Sequence, residues 1–193
     1  MALKILLIDT DVDRSRALEE KLEESGFAEV MRLPQNADLP KAVESEKPDL
    51  IIIDMALPDR DALEDIRAVS ASRPIVMFAG TDDPAFVEEA IAAGVCSYNL
   101  SGLSLQDIKP VMSSAIALFR RYKSVETELA TAKALLEERR LVERAKAILM
   151  RDKKMTEPEA YRWLQRKAMN ENRKLAHVVA EIVRQEESDA RNA

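Results

Sequence analysis

The chain has 193 residues, a net charge of −6, 47% hydrophobic content, one cysteine and one histidine. That length suits one ordinary domain with a smaller second unit, and a lone Cys with a lone His excludes a zinc cluster or a Cys/His nucleophilic pair built within one chain, leaving carboxylates for any chemistry. No charged-then-apolar leader opens the sequence and no apolar run is long enough to span a bilayer, so a soluble, cytoplasmic protein is expected.

The first 110 residues alternate short apolar runs with amphipathic helical stretches. KILLID (4–9) and DLIIID (49–54) are near-continuous aliphatic runs of the kind buried on both faces of a parallel sheet. PIVMFAG (74–80) and SYNL (97–100) extend the series, with a further, weaker strand near 28–33. Helical patterns lie between them near 13–25, 37–46, 59–72 and 83–93, the last closed by Gly94. This is an α/β, doubly wound pattern, whose functional crevice lies beyond the carboxyl ends of the strands. Asp9, Asp54 and Ala79/Gly80 fall there, so two carboxylates share one cleft.

After Pro110 neither glycine nor proline occurs until Pro158, which predicts one long helix. Ala115, Leu118, Tyr122, Val125, Leu129, Ala132 and Leu136 follow alternating spacings of 3 and 4, a heptad seam. A dimeric coiled coil through Leu118, Tyr122, Val125, Leu129 and Leu136 is expected, the alternative being antiparallel packing against the chain's own C-terminal helices. Three compact helical segments follow. The first turns Leu141, Ala145, Ile148 and Leu149 to one face. The second opens at TEPE (156–159), and the third runs from about Arg173 to Glu187 with Leu175, Val178, Val179 and Ile182 inward. Trp163 and Met169 are the bulkiest core candidates.

Charge divides along the same line. Residues 1–110 hold 11 Lys/Arg against 22 Asp/Glu, whereas residues 139–174 hold 12 against 5. The basic rear suits a polyanion, although a solvated helix surface gives the same pattern. Arg144, Lys146, Arg151, Arg166, Lys167, Arg173 and Lys174 are the candidate phosphate contacts. Tyr161, Asn170 and Asn172 are candidate base contacts, Tyr161 equally a core residue. His177 is expected to be solvated and Cys96 to be a small core residue.

Two resemblances attach to the acidic half. ILLIDTDVD is similar to the D-x-D-x-V motif of haloacid-dehalogenase-type phosphohydrolases, which implies a magnesium-dependent nucleophilic Asp and an acid/base Asp, with Asp82 and Asp83 as the later metal pair. PDLIIIDMALPDRDAL (48–63) resembles the receiver domain of bacterial response regulators over residues 1 to about 120. That likeness implies a (βα)5 flavodoxin-like fold with Asp54 as the phosphoacceptor, Pro58 following it, and Asp9, with Asp11, as acidic-pocket residues for a weakly held magnesium at Asp9 and Asp54. The likeness is degenerate: the second acid of the pair is Thr10, the switch hydroxyl is Ala79 and the lysine is Ser101. Weakened metal binding and a phosphoryl group with few partners are the physical consequences.

ERAKAILM (143–150), TEPEAYRWLQRKAM (156–169) and NRKLAHVVAEI (172–182) resemble the ANTAR module, and the whole chain resembles NasT-type regulators of nitrate and nitrite assimilation. The resemblance implies a pseudo-receiver over 1–120, a coiled-coil linker helix over 111–138 and an ANTAR RNA-binding three-helix unit over 139–193. It further implies a homodimer that binds a two-hairpin leader RNA to prevent termination and is sequestered by a ligand-sensing, NasS-like protein. A regulator with the same output switched by phosphorylation is the alternative.

Overall fold

The computed structural model describes residues 3–9, 16, 19–20, 22–23, 28–34, 37–55, 60–100 and 105–191. Strands β1 (Leu3–Asp9), β2 (Ala28–Leu33), β3 (Leu50–Met55), β4 (Ile75–Ala79) and β5 (Ser97–Leu100) form one sheet in the order β2-β1-β3-β4-β5. All four pairings are parallel. This is the flavodoxin-like doubly wound order, with its crevice at the carboxyl ends of β1 and β3. Helices α1 (Leu39–Glu46), α2 (Arg60–Ser70) and α3 (Pro84–Ala93) link the strands.

Strand periodicity sorts the aliphatic side chains onto two faces. Leu6, Ile8, Ile51, Ile53, Ile75 and Met77 join one core with Val43, Ile66 and Ala90 from α1, α2 and α3. Their alternates Ile5, Leu7, Leu50, Ile52, Val76 and Phe78 join a second core with Ile108, Met112 and Ala115. All six residues of β3 are buried, which explains its unbroken apolar run. Gly94 ends α3 at φ 103°, and a Cβ there would stand 2.4 Å from that of Ser70. Only glycine supplies that backbone without a clash.

Helix α4 (Leu105–Lys153) runs 49 residues without interruption. It starts ahead of Pro110, so that proline lies inside the helix rather than at its boundary. Being only the second turn, the site forfeits one hydrogen bond, to the Gln106 carbonyl, while Ile108 and Met112 anchor the flanking turns in the sheet's core. Ala115, the first residue of the seam, is also buried in that core, so the exposed seam begins at Leu118.

The chain divides into two compact units, Met1–Lys123 and Ser124–Ala193. In the second, the end of α4 joins α5 (Glu157–Asn170) and α6 (Leu175–Arg191). Ala145, Ile148, Leu149, Ala160, Leu164, Val179 and Val183 form its core, with Leu141, Trp163, Leu175 and Ile182 packed at the edge. Thr156 precedes α5, and its backbone N–H and hydroxyl both donate to Glu159 Oε2, at 2.8 and 2.7 Å. Val125, Leu129 and Leu136 remain 44–70% exposed, so the helices of their own unit do not cover the seam. Among the described residues, no helix is long and apolar enough to cross a membrane.

Candidate functional site: acidic pocket and nucleic-acid interface

Adjacent parallel strands bring Asp9 and Asp54 into register at the ends of β1 and β3. Asp54 is 7% exposed and Asp9 half-buried. Two neighbouring carboxylates are hard oxygen donors of the type magnesium takes, yet no group of three metal-ligating side chains converges among the described residues. Asp11, Thr10, Pro58 and Ser101 lie outside the described residues. Ala79 ends β4, fully buried and without a hydroxyl to offer an incoming phosphoryl group.

The loop after β4 is tied to β5. The Tyr98 phenol donates to the Thr81 carbonyl at 2.7 Å, and its ring meets Phe86 edge-on at 6.1 Å. Burial, and then the charges of Asp82 and Asp83, push that phenol's pKa upward. Asp83 accepts from Ala85 N at 3.2 Å as the N-cap of α3, so one of the two carboxylates that the phosphohydrolase likeness sets aside for metal caps a helix. Cys96 is half-buried rather than a full core residue, and burial raises its thiol pKa.

In the C-terminal unit the basic residues fall into three groups. Lys146 is only 8% exposed, its Nζ held between Glu143 (2.7 Å) and Glu157 (2.6 Å). The hydrogen bonds it donates to those carboxylates hold its pKa above the usual lysine value. The expectation of an outward phosphate contact is thus corrected. Lys146 follows core residue Ala145, so its stem packs inside and its ammonium ties α4 to the first turn of α5.

The second group is paired and, apart from the half-buried Lys167, exposed. Arg144 meets Glu187 (2.8 Å) and Glu186 (3.5 Å), while Arg151 meets Asp152 (2.7 Å) and Glu186 (2.8 Å). Lys167 meets Glu171 (2.6 Å), and Arg173 meets Glu171 (3.0 Å) and Glu181 (2.7 Å). Such exposed pairs contribute little to stability and exchange partners readily. The third group, Arg166 and Lys174, is exposed and forms no ion pair among the described residues. Arg162, Arg166 and Asn170 recur every four residues, a single exposed stripe on α5.

Beside that stripe Tyr161 is 40% exposed, so it is not a core residue. Met169 is 80% exposed, which overturns its assignment to the core: Ala160, Leu164 and Ala168 form the inward row, and position 169 turns away from it. Trp163 is half-buried on one wall of a cleft of about 570 Å³, with the Lys153 ammonium 4.1 Å and the Lys167 ammonium 5.8 Å from its ring centroid. Asn172 occupies the left-handed region (φ 49°) in the α5–α6 turn, a backbone role that Asn tolerates well. His177 is exposed, as expected.

Two family models match in tandem, the response regulator receiver domain over residues 5–101 and the ANTAR domain over 130–183. The transcriptional regulatory protein PdtaR of Mycobacterium tuberculosis is 34% identical over 182 residues, covering 93% of this chain and 88% of that protein. The chain is an ANTAR-domain response regulator. Another relative, the alkaline phosphatase synthesis transcriptional regulatory protein PhoP of Bacillus subtilis, is 34% identical over 86 residues, 43% of this chain and 35% of its own length. A CheY-like receiver domain protein of Methanospirillum hungatei shares the fold at a TM-score of 0.53 and 19% identity, covering 63% of this chain and 99% of its own.

In this ANTAR response regulator Asp9 and Asp54 belong to the receiver unit and the basic stripe to the ANTAR unit. Sequence reasoning missed Arg162 and the exposure of Met169. A helical wheel drawn from the Ala160–Leu164–Ala168 row would have exposed both.

Proposed function

We propose that this ANTAR response regulator is a transcription antiterminator, whose ANTAR unit grips a two-hairpin leader RNA in a form that excludes the terminator. The observation that carries the reading is the exposed stripe Arg162–Arg166–Asn170 on α5, with Lys174, Tyr161 and Met169 exposed in the same unit. Splayed loop bases suit such a mixture of guanidinium, amide and apolar side chains. Arg144, Arg151, Lys167 and Arg173 join by exchanging a surface carboxylate for a phosphate.

Control runs through a ligand-sensing, NasS-like protein partner in the cytoplasm rather than through phosphorylation, and the genes served are those of nitrate and nitrite assimilation. Ala79 supports this, because without a hydroxyl at that position a phosphoryl group on Asp54 loses one partner that would turn its arrival into movement. The second reading, phosphorylation-dependent output, is favoured by the pair Asp9 and Asp54, which stand in register on neighbouring strands. A homodimer gives two linked ANTAR units for two hairpins, so modest single-site affinities combine through effective concentration.

Fluorescence anisotropy of the full chain with a two-hairpin RNA and a scrambled linear RNA of equal length, at about 0.15 M salt, tests this. At least tenfold preference for the hairpin RNA is expected, unchanged by acetyl phosphate. Equal affinity for both RNAs ends the antitermination reading. Preference that arises only after acetyl phosphate treatment selects the phosphorylation reading.

A further inference from the structure

Trp163 is the one tryptophan of the chain, and it stands beside rather than within the inward row of α5, Ala160, Leu164 and Ala168. It walls a cleft of about 570 Å³ formed by the end of α4, α5 and α6, where Ile148, Leu149 and Ile182 supply the apolar lining. That volume falls in the ordinary range of small-ligand clefts, about 300–1,000 Å³. The indole N–H forms no hydrogen bond among the described residues, whereas a tryptophan enclosed by a core ordinarily finds an acceptor.

The charges on the rim differ in what they are free to do. Arg151 holds Asp152 and Glu186, and Arg173 holds Glu181, so the carboxylates that line the cleft already have arginine partners. Lys167 is engaged with Glu171. Lys153 forms no ion pair among the described residues and lays its ammonium over the indole, 4.1 Å from the ring centroid, where a stacked base would lie. A cation holds an aromatic face only weakly at an exposed site, so this lysine is a displaceable cover. Gln185 is the one side-chain amide that lines the cleft, with donor and acceptor groups to offer a base edge. Around α5, at about 100° per residue, Asn170 falls within about 20° of Trp163 and Arg166 within about 60°, so the exposed stripe passes beside the cleft.

We propose that this cleft takes one unpaired base of the bound RNA, stacked on Trp163 in place of Lys153, with Gln185 reading the base edge and Lys153 turned to the phosphate. The site rests on the RNA-binding reading above and adds the place where sequence is read. The stripe attracts phosphates alike for every sequence, whereas a walled cleft with a single amide discriminates between bases. A base still paired within a stem cannot enter it, so the same cleft separates open loops from duplex.

Because Trp163 is the sole tryptophan, its emission reports the cleft directly. The full chain is titrated with the two-hairpin RNA, with copies carrying an abasic residue at one loop position of both hairpins, each position in turn, and with AMP or GMP. Trp163 emission and the anisotropy of labelled RNA are followed together. The RNA is expected to quench Trp163, and one abasic position is expected to relieve the quench while weakening binding about tenfold. Trp163→Leu should cost about the same tenfold with an unchanged salt slope, since no charge is lost, and Trp163→Phe should recover most of it. Circular dichroism checks that both variants are folded at the assay temperature. The abasic series uses the unmodified chain, so it decides the matter even where Trp163→Leu fails to fold. Hairpin preference with Trp163 emission unchanged, or a quench that no abasic position relieves, overturns the base site and leaves the RNA reading standing. Hairpin and linear RNA bound alike removes both. Saturating quench by millimolar AMP or GMP with none by the RNA assigns the cleft to free nucleotides and also overturns the proposal.

Discussion

Lys146→Ala separates a structural lysine from a ligand-binding one. The stem is nearly covered, and truncation removes on the order of 80 Å² of buried apolar surface, ~2 kcal/mol at about 25 cal/mol/Å². Glu143 and Glu157 are both well exposed, so their carboxylates regain water and add little to that loss. For a unit this small, ~2 kcal/mol corresponds to a melting point lower by about 10 °C. Trp163 is the sole tryptophan and sits in this unit, so its fluorescence reports the transition without interference from the receiver. Lys146→Met keeps the stem and should melt close to the parent. Below their melting points both variants are expected to bind hairpin RNA within about twofold of the parent, with the same salt slope. A Lys146→Met chain that is folded yet loses tenfold in affinity and about one unit of slope would show that the ammonium reaches a phosphate, and the structural role argued here would fail.

Arg166→Ala and Lys174→Ala should each weaken RNA binding and reduce the salt slope by about one; affinities measured from low to high salt that superimpose on the parent's would remove the stripe from the interface. Asp54→Asn should leave hairpin affinity within about twofold, and a loss above tenfold with the fold intact would favour phosphorylation control. Gly94→Ala should destabilise the receiver by about 2 kcal/mol or more, since it adds left-handed strain to the approach on Ser70; Ser70→Gly should restore part of that in urea titrations, and no effect of either change would contradict the contact. The carboxyls of Asp152, Glu157, Glu159 and Glu171 are held below the usual range, chiefly by hydrogen bonds from Arg151, Lys146, the Thr156 backbone and Lys167 respectively. A carboxyl whose pKa is lower in the fold stabilises it above the unfolded value and stops doing so as pH falls through the folded one. The Trp163 transition should therefore be steady at neutral pH and fall in temperature below about pH 4.3; identical melting points at pH 3 and pH 7 would refute the pairing.

The sheet was legible because burial on both faces leaves a blunt signature: KILLID and DLIIID are β1 and β3 nearly to the residue. The weaker AEVMRL is nonetheless β2, an edge strand in which Val30 is deeply buried while Glu29 and Arg32 are exposed. Pro110 misled because proline costs a helix little in its first turns when anchored on both sides. Among the site residues, the positions of Asp9 and Asp54 followed from strand ends alone. The role of Lys146 did not, since charge type says nothing about burial. Its signal was the Glu143 three residues earlier, paired with Glu157 at the head of the next helix. The difference between Arg166 and Arg173 was beyond reach, because it depends on whether Glu171 and Glu181 come within bonding distance in three dimensions.

The C-terminal core is rich in alanine: Ala145, Ala160 and Ala168 are all buried there. Methyl groups at helix contacts allow backbones to approach to the short end of the usual 8–10 Å range, and at those three positions there is no side-chain rotamer to change. The basic stripe is thus cast on a stiff mould. In any encounter with a flexible transcript, the ordering entropy falls on the nucleic acid, and selectivity measures how cheaply a given RNA can adopt the one shape on offer.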